Sequence, residues 1–465
     1  MQWIKKYVGN RSFYKKVLII SVPLILQQLL LNTFGIVDTI MVGSIYRGVA
    51  GVGIAAQISM IIFTVVFGIN SGIGIYVAQF FGAKDDRNLK NSFALGIVIV
   101  CFFVLVSTLV VLLFPKEILM LFSQDMEVID KAMDYIKIEA FSYIFNALSF
   151  SFSIAYRNIQ KTKVPLYISI VSSSMNILFN YLLIFGIGPF PELGVKGAAI
   201  ATVISCFVGF VINIIYAQKT KQLFMPSIIN FKEGLNKLFV RKLIKRVGPL
   251  IANEMLFSIG TALYVVFINT LGSDAYEGYR IAESIVNIMF TITFGLATAV
   301  AALIGEALGK KDLDLANNYG NWFLLLGMGI AISIGILNLV LAPLFVALFN
   351  NPIDVVVENA IKVLRVYSIR IMFRVFIVIL FSTFRAGGES KYVMFLDSGI
   401  LWLIGIPIAF LTTKVFHVQD VALFYLILQT EQLVRVIIGM RRYNKRTWLK
   451  NITDELAIGN GGASK

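Results

Sequence analysis

Three carboxylates stand inside long apolar runs of this chain: Asp38, Glu254 and Asp397. On insertion scales an acid at the centre of a bilayer costs about 2.5–3.5 kcal/mol, and it is carried only if paired, protonated or hydrated, so each is a candidate for handling an ion or a substrate. Asn176 and Asn180 are spaced i,i+4 and share one helix face. Counting a rise of about 1.5 Å per residue from the cytoplasmic ends puts both, with Asp38 and Thr202, in the outer half of the membrane. One carboxylate among neutral oxygens suits a desolvated Na⁺ or a proton, so these four residues are expected to converge as a cation-coupling cluster. The alternative is a structural hydrogen-bond network.

Glu254 and Asp397 fall about 9–10 Å into their helices from the cytoplasmic side and are expected to serve a cation or a cationic substrate. Salt bridges to Arg370 or Arg374 are the competing expectation. Gln28 and Glu283 are candidates for lining a cleft, and Glu139 is a third. Glu431 and Arg435, at i,i+4, read as an intrahelical ion pair, and His417 as a solvated loop residue. No nucleophile and base are paired by spacing, and there is no HExxH. The two cysteines, Cys101 and Cys206, sit in apolar runs without a CxxC. Neither an enzyme, a cofactor nor a metal centre is expected beyond Na⁺ at Asp38.

These residues need elements to hold them, and composition says which. Hydrophobic residues are 58% of 465 positions and charged ones 14%, with a mean hydropathy of +0.82. Soluble chains carry about 45–50% apolar residues and about 25% charge, so this apolar surface calls for hydrocarbon as solvent. Stretches long enough to span a bilayer occur at 17–42, 49–80, 92–114, 131–156, 164–188, 194–218, 247–271, 277–307, 318–349, 358–384, 391–413 and 418–440. The fold class expected is an all-α polytopic membrane protein of twelve transmembrane helices. The first span lacks a small-residue cleavage site and reads as a helix, not a signal peptide. With the N-terminus cytoplasmic, the inner segments collect 29 of the 41 Lys and Arg residues, so the net charge of +15 reports topology and not nucleic-acid binding. Both termini are placed in the cytoplasm and the protein in the cell membrane.

The chain also repeats itself. Pro23-Leu24-Ile25 recurs as Pro249-Leu250-Ile251, Phe67-Gly68 as Phe294-Gly295, and Gly82-x-Lys84-Asp85 as Gly309-x-Lys311-Asp312. Arg157 with Thr162-Lys163 recurs as Arg385 with Ser390-Lys391. The expected organisation is a tail at 1–16, a six-helix bundle at 17–218, a cytoplasmic linker at 219–246, a second bundle at 247–441 and a tail at 442–465. Copies separated by six helices start on the same side of the membrane, which implies a pseudo-twofold axis along its normal and a plan suited to alternating access. Under this alignment Glu254 matches Gln28, and Tyr264 matches Asp38.

Four strings in order, GIVDTIMVGS, AQFFGAKD, NILFNYLLIFGIGPFPELGVKGAAIAT and RAGGESKYVMFLDSGILWLIGIP, resemble the multidrug and toxic compound extrusion (MATE) family over residues 15–445. The resemblance implies a V-shaped pair of six-helix bundles around a central cleft. It also implies an antiporter that expels amphipathic, often cationic, organic compounds in exchange for Na⁺ or H⁺, acting as a monomer without a cofactor. The family pattern has an acid, an Asn, a second acid four residues later and a Thr at Asp38, Asn176, position 180 and Thr202. Asn180 stands where many relatives carry Asp, which removes one charge from a Na⁺ site and leaves the coupling ion open. Relatives in one branch use acids of the C-terminal bundle, one of them at the position of Glu254. A flippase for a lipid-linked or polyisoprenoid head group is the alternative function. It would call for a cleft lined by Lys and Arg, whereas the helix interiors offer only Arg370, Arg374 and Arg435, in the second half.

Overall fold

The computed structural model describes residues 7–43, 45, 48–123, 125–349 and 352–453. The ends of the two expected tails, 1–6 and 454–465, lie outside the described residues. The described chain is helical, without strands. The first six membrane helices are α1 (Arg11–Val42), α2 (Gly48–Ala83), α3 (Asp86–Leu113), α4 in two parts (Met126–Glu139 and Ser142–Asn158), α5 (Lys163–Phe185) and α6 (Val195–Lys219). After a two-turn helix at Ile228–Gly234 come α7 (Lys237–Asn269), α8 (Ser273–Gly309), α9 (Leu313–Ala347) and α10 (Asp354–Ala386). The last two are α11 (Ser390–Val415) and α12 (Val421–Asn444).

Ten of these are individually long and apolar enough to cross a membrane, and the two parts of α4 together make an eleventh. The twelfth, α10, has spanning length but carries Glu358, Lys362, Arg365, Arg370, Arg374 and Arg385. It is tolerated because it packs along α8 and α9 and buries Val363, Leu364, Ile371 and Val375. All twelve expected segments are therefore present as helices. The fourth differs from the uninterrupted run at 131–156: it starts at Met126 and bends by 55° between Glu139 and Ser142. Large apolar side chains line the outside, such as Phe102, Leu105, Leu109 and Leu113 on α3 and Leu337, Val340, Leu344 and Leu348 on α9. An exposed apolar surface of that extent matches lipid and not water.

The repeated motifs turn out to be turns. Lys84 and Lys311 both adopt a left-handed backbone, at φ 57° and 61°, which closes α2 and α8. The following Asp85 and Asp312 cap the next helices, accepting from the amides of Asn88 at 3.0 Å and Leu315 at 2.9 Å. Gln160 and Gly388, after the Arg157 and Arg385 motifs, share the same left-handed geometry at φ 63° and 75°. The Lys161 amide then donates to the Tyr156 carbonyl at 2.8 Å and the Glu389 amide to Phe384 at 2.9 Å. Sequence repeats at these places because both halves reverse direction by the same device.

Two compact units result. One comprises Val22–Phe81 and Asp85–Ile244, and the other Lys245 onward with the chain up to Ser21 and Gly82–Lys84. The start of α1 joins the second unit through Phe13, whose ring lies 4.9–5.7 Å from those of Phe323, Trp322 and Tyr319 on α9. Within the first unit α5 and α6 pack closely. A side chain at Gly197 would come within 2.5 Å of the Leu183 carbonyl, so only glycine lets these two helices, which carry Asn176, Asn180 and Thr202, approach as they do.

The linker is docked on this first unit by a charged fork. Arg87 donates to the two oxygens of Glu233 at 2.5 and 2.9 Å, and Asn91 adds a third bond at 3.0 Å. The Arg87 guanidinium, followed by Asn91, holds the Glu233 carboxyl down at about 2. A depressed carboxylate stabilises the docked linker fully above the ordinary carboxylate range and loses that effect progressively as pH falls from there through about 2. Amide hydrogen exchange over residues 228–235, corrected for intrinsic rates, is accordingly expected to be equally slow at pH 7 and pH 5. Glu233→Ala is expected to speed it at both. Equal protection in the variant would mean that the fork does not hold the linker.

Candidate functional site

In the first unit, α1 brings Asp38 against the face of α5 that carries the two asparagines. Asn180 Nδ2 donates to Asp38 Oδ1 at 2.6 Å, and also lies 3.2 Å from Asn176 Oδ1. Turning the Asn176 amide puts its nitrogen 2.8 and 3.0 Å from the two Asp38 oxygens, so this side chain can face the acid as donor or turn an oxygen inward. Thr202 on α6 donates to the Ala198 carbonyl at 3.0 Å, on its own helix. Ser205 links α6 back to Asn176 at 3.5 Å. Asn180 is 2% exposed, and its Oδ1 is buried without a hydrogen-bond partner. Such orphaned acceptors are scarce in folded proteins.

Asp38 has no Lys or Arg partner among the described residues. Arg157, the buried arginine of this unit, is engaged elsewhere, donating to Gln27 at 3.1 Å. The site therefore consists of one carboxylate with two asparagine amides against it, an oxygen-bearing set suited to Na⁺ or a proton. Of the four residues proposed from sequence, Asp38, Asn176 and Asn180 sit together, with Ser205 joined to Asn176, whereas the Thr202 hydroxyl is turned to the Ala198 carbonyl of its own helix. Tyr135, Glu139 and Tyr143 recur every four residues on α4, a pattern that could have flagged this face in advance.

The second unit is organised by arginine. Arg435, 1% exposed, pairs with Glu431 one turn earlier, lies 3.5 Å from Asp397 Oδ1, and donates to the Asp397 backbone carbonyl at 2.8 Å. Asp397 sits in a π-helical stretch of α11, Phe395–Gly399, and its other oxygen accepts from Asn253 at 3.1 Å. Tyr264, the repeat partner of Asp38, donates to Glu431. Any side chain at Gly405 would collide with both Tyr264 and Glu431, so this glycine makes room for the buried pair. Arg370 donates to the Tyr425 hydroxyl and lies over the Tyr367 and Tyr425 rings, while Arg374 lies over Phe257 and Phe290.

Glu254 meets neither Arg370 nor Arg374. It pairs with Arg385 from the end of α10, at 2.8 Å. Asp397 lies with Arg435 and Asn253, so the two acids of this unit have separate partners. Of the remaining candidates, Gln28 donates to Asn32 at 3.2 Å on α1. Glu283 accepts from Tyr279 at 2.9 Å and from Arg280 at 2.6 Å, within α8. His417 is a left-handed residue, φ 52°, in the turn before α12.

The MatE family profile matches residues 23–182 and 249–411, one stretch in each half and each beginning at the repeated proline. A probable multidrug resistance protein NorM of Thermotoga maritima is 25% identical over 87% of this chain and 86% of its own length. The uncharacterized transporter YisQ of Bacillus subtilis is 25% identical over 92% of this chain and 93% of its own length. The crystal structure of a variant of the Vibrio cholerae MATE transporter VcmN superposes with a TM-score of 0.86, covering 95% of this chain and 98% of that one at 19% identity. That likeness is one of fold. With the family profile on both halves and twelve membrane helices to match, the chain belongs to the MATE family and is a multi-pass membrane transporter, not an enzyme.

Proposed function

We propose that this transporter is an antiporter exporting amphipathic, often cationic, organic compounds in exchange for Na⁺ or H⁺, and that Asp38 is the acid at which the exchange occurs. The observation that carries this reading is a contrast in partners. Asp397, Glu431 and Glu254 each have an arginine, and an acid with a fixed counter-charge gains little by binding a cation. Asp38 has amides, and beside it an asparagine oxygen without a donor. The names of relatives as multidrug resistance proteins support drug-like organic compounds as cargo. Fourteen methionines and 38 phenylalanines supply adaptable apolar surface for such cargo.

Coupling follows from exclusivity. Asp38 is neutral when protonated or neutralised when cation-bound, and its free charge is costly in a closed, dry bundle. Reorientation is then favoured only when the acid is satisfied, and the ion gradient biases the cycle. With a bound cation, Asn176 turns its oxygen inward; without one, its nitrogen stabilises the bare carboxylate. In this reading Glu254 and Asp397 reach a cationic substrate only by giving up Arg385 and Arg435, so they act chiefly as scaffold. One chain in the cell membrane, with both termini cytoplasmic, contains the whole machine.

Asp38→Asn keeps size and most hydrogen bonding but fixes the side chain neutral. In inverted vesicles driven separately by Na⁺ and pH gradients, it is expected to cut uphill substrate accumulation by at least about tenfold, equivalent to about 1.4 kcal/mol of lost coupling, while downhill exchange continues. Parental accumulation under both drives would refute the assignment. Asn180→Asp adds a charged ligand oxygen, and is expected to tighten Na⁺ binding by about tenfold. The measurement is Na⁺-dependent thermal stabilisation of purified protein, and no gain would mean that residue 180 does not face the ion.

A further inference from the structure

The bundle that holds Asp38 contains a second embedded acid. Glu139 is the last residue of the first part of α4, where the helix bends by 55°. It is 8% exposed. Ser59 of α2 donates to one of its oxygens at 2.9 Å, and the Tyr143 hydroxyl lies 3.5 Å from the other. The titratable groups around it are completed by Tyr135, one turn earlier on the same helix, and by Cys206 of α6. From α3, Thr108 faces the bend but donates to the Ala140 carbonyl at 3.3 Å. Among the described residues no Lys or Arg pairs with Glu139, which sets it apart from Asp397, Glu431 and Glu254.

Its partners also set it apart from the arginine-paired acids. A guanidinium can only donate, and so satisfies a carboxylate in its ionised form; a hydroxyl either donates or accepts. Ser59 and Tyr143 lie 3.2 Å from each other, so Glu139 and the two hydroxyls form a closed ring that is satisfiable in two ways. With the acid ionised, both hydroxyls donate to it. With the acid protonated, its O–H donates to Ser59 while Tyr143 still donates to the other oxygen. The protonated, neutral acid therefore keeps a partner for each of its oxygens, so the ring holds a proton without recruiting any further ligand. Tyr135 stands one turn before Glu139 on the same helix.

We propose that Glu139, with Ser59 and Tyr143, is a second ion-exchange site of the N-terminal bundle, and that it takes a proton, not a metal cation. Loading is the addition of one proton from water to a carboxylate oxygen, which leaves the site neutral; unloading returns that proton to water and changes no other bond. The inference deepens the antiport reading and rests on it, because it makes protons part of the exchange whichever ion Asp38 takes.

The test uses the full-length protein reconstituted in lipid. Infrared difference spectra recorded across a pH titration are expected to contain the carbonyl stretch of a protonated carboxyl that disappears in Glu139→Gln and persists in Asp38→Asn. Glu139→Gln is also expected to flatten the pH dependence of export while leaving Na⁺-dependent stabilisation, read at Asp38, unchanged. Ser59→Ala, which removes a hydroxyl without touching the acid, is expected to move the midpoint of that band by about one pH unit. A band unaltered by Glu139→Gln, or no such band at any pH in the parent, overturns the proposal. Neither result bears on Asp38, whose role is judged by uphill transport in Asp38→Asn.

Discussion

A charge in hydrocarbon must have a partner, and the chemistry of that partner decides whether the charge is permanent or exchangeable. This constraint organises the molecule. In the second unit the partner is arginine: Glu431 and Asp397 share Arg435, and Glu254 holds Arg385. Replacing a member of such a set leaves an uncompensated buried charge, typically costing about 3–5 kcal/mol, so these pairs are stable and slow to change. In the first unit the partners are neutral. Asp38 meets amides, and Glu139 meets hydroxyls. On the proposed reading, one half of a duplicated scaffold keeps its charges and the other exchanges them.

The duplication itself works at the level of turns and packing, not of sites. Left-handed Lys84 and Lys311 followed by capping Asp85 and Asp312 reverse the chain in the same way in both halves. Prolines at 23 and 249 lie at matching points within α1 and α7, where each removes a backbone donor. On that shared frame the chemistry diverges. Tyr264 stands where Asp38 does in the first copy, and spends its hydroxyl on Glu431. Divergence of this kind is possible because the helix termini and the close-packed glycines fix the geometry independently of which polar side chains project from the middle.

Much of this was legible in the sequence because the solvent imposes strong signals. Apolar runs of spanning length gave the helices. The i,i+4 asparagines on one helix gave the face that Asp38 meets. What could not be read was partner choice across helices. Salt bridges to Arg370 or Arg374 are the competing expectation for Glu254, yet it is Arg385, at the far end of α10, that reaches it, because Arg370 and Arg374 turn toward tyrosine and phenylalanine rings. The bend in α4 carries no proline or glycine between Glu139 and Ser142, so no local rule announced it. Ser59 was invisible for a different reason: a serine in an apolar run signals nothing until the acid it faces is known.

The central claim is that Asp38 exchanges its ion because it lacks a fixed counter-charge. Proton release from lightly buffered, purified transporter on addition of Na⁺ or of a cationic substrate tests it most directly, with Asp38→Asn compared against Asp397→Asn and Glu254→Gln. The account predicts that release at this site vanishes in Asp38→Asn and survives in the other two variants. Release that persists undiminished in Asp38→Asn, or that vanishes only when Glu254 or Asp397 is neutralised, would contradict the account.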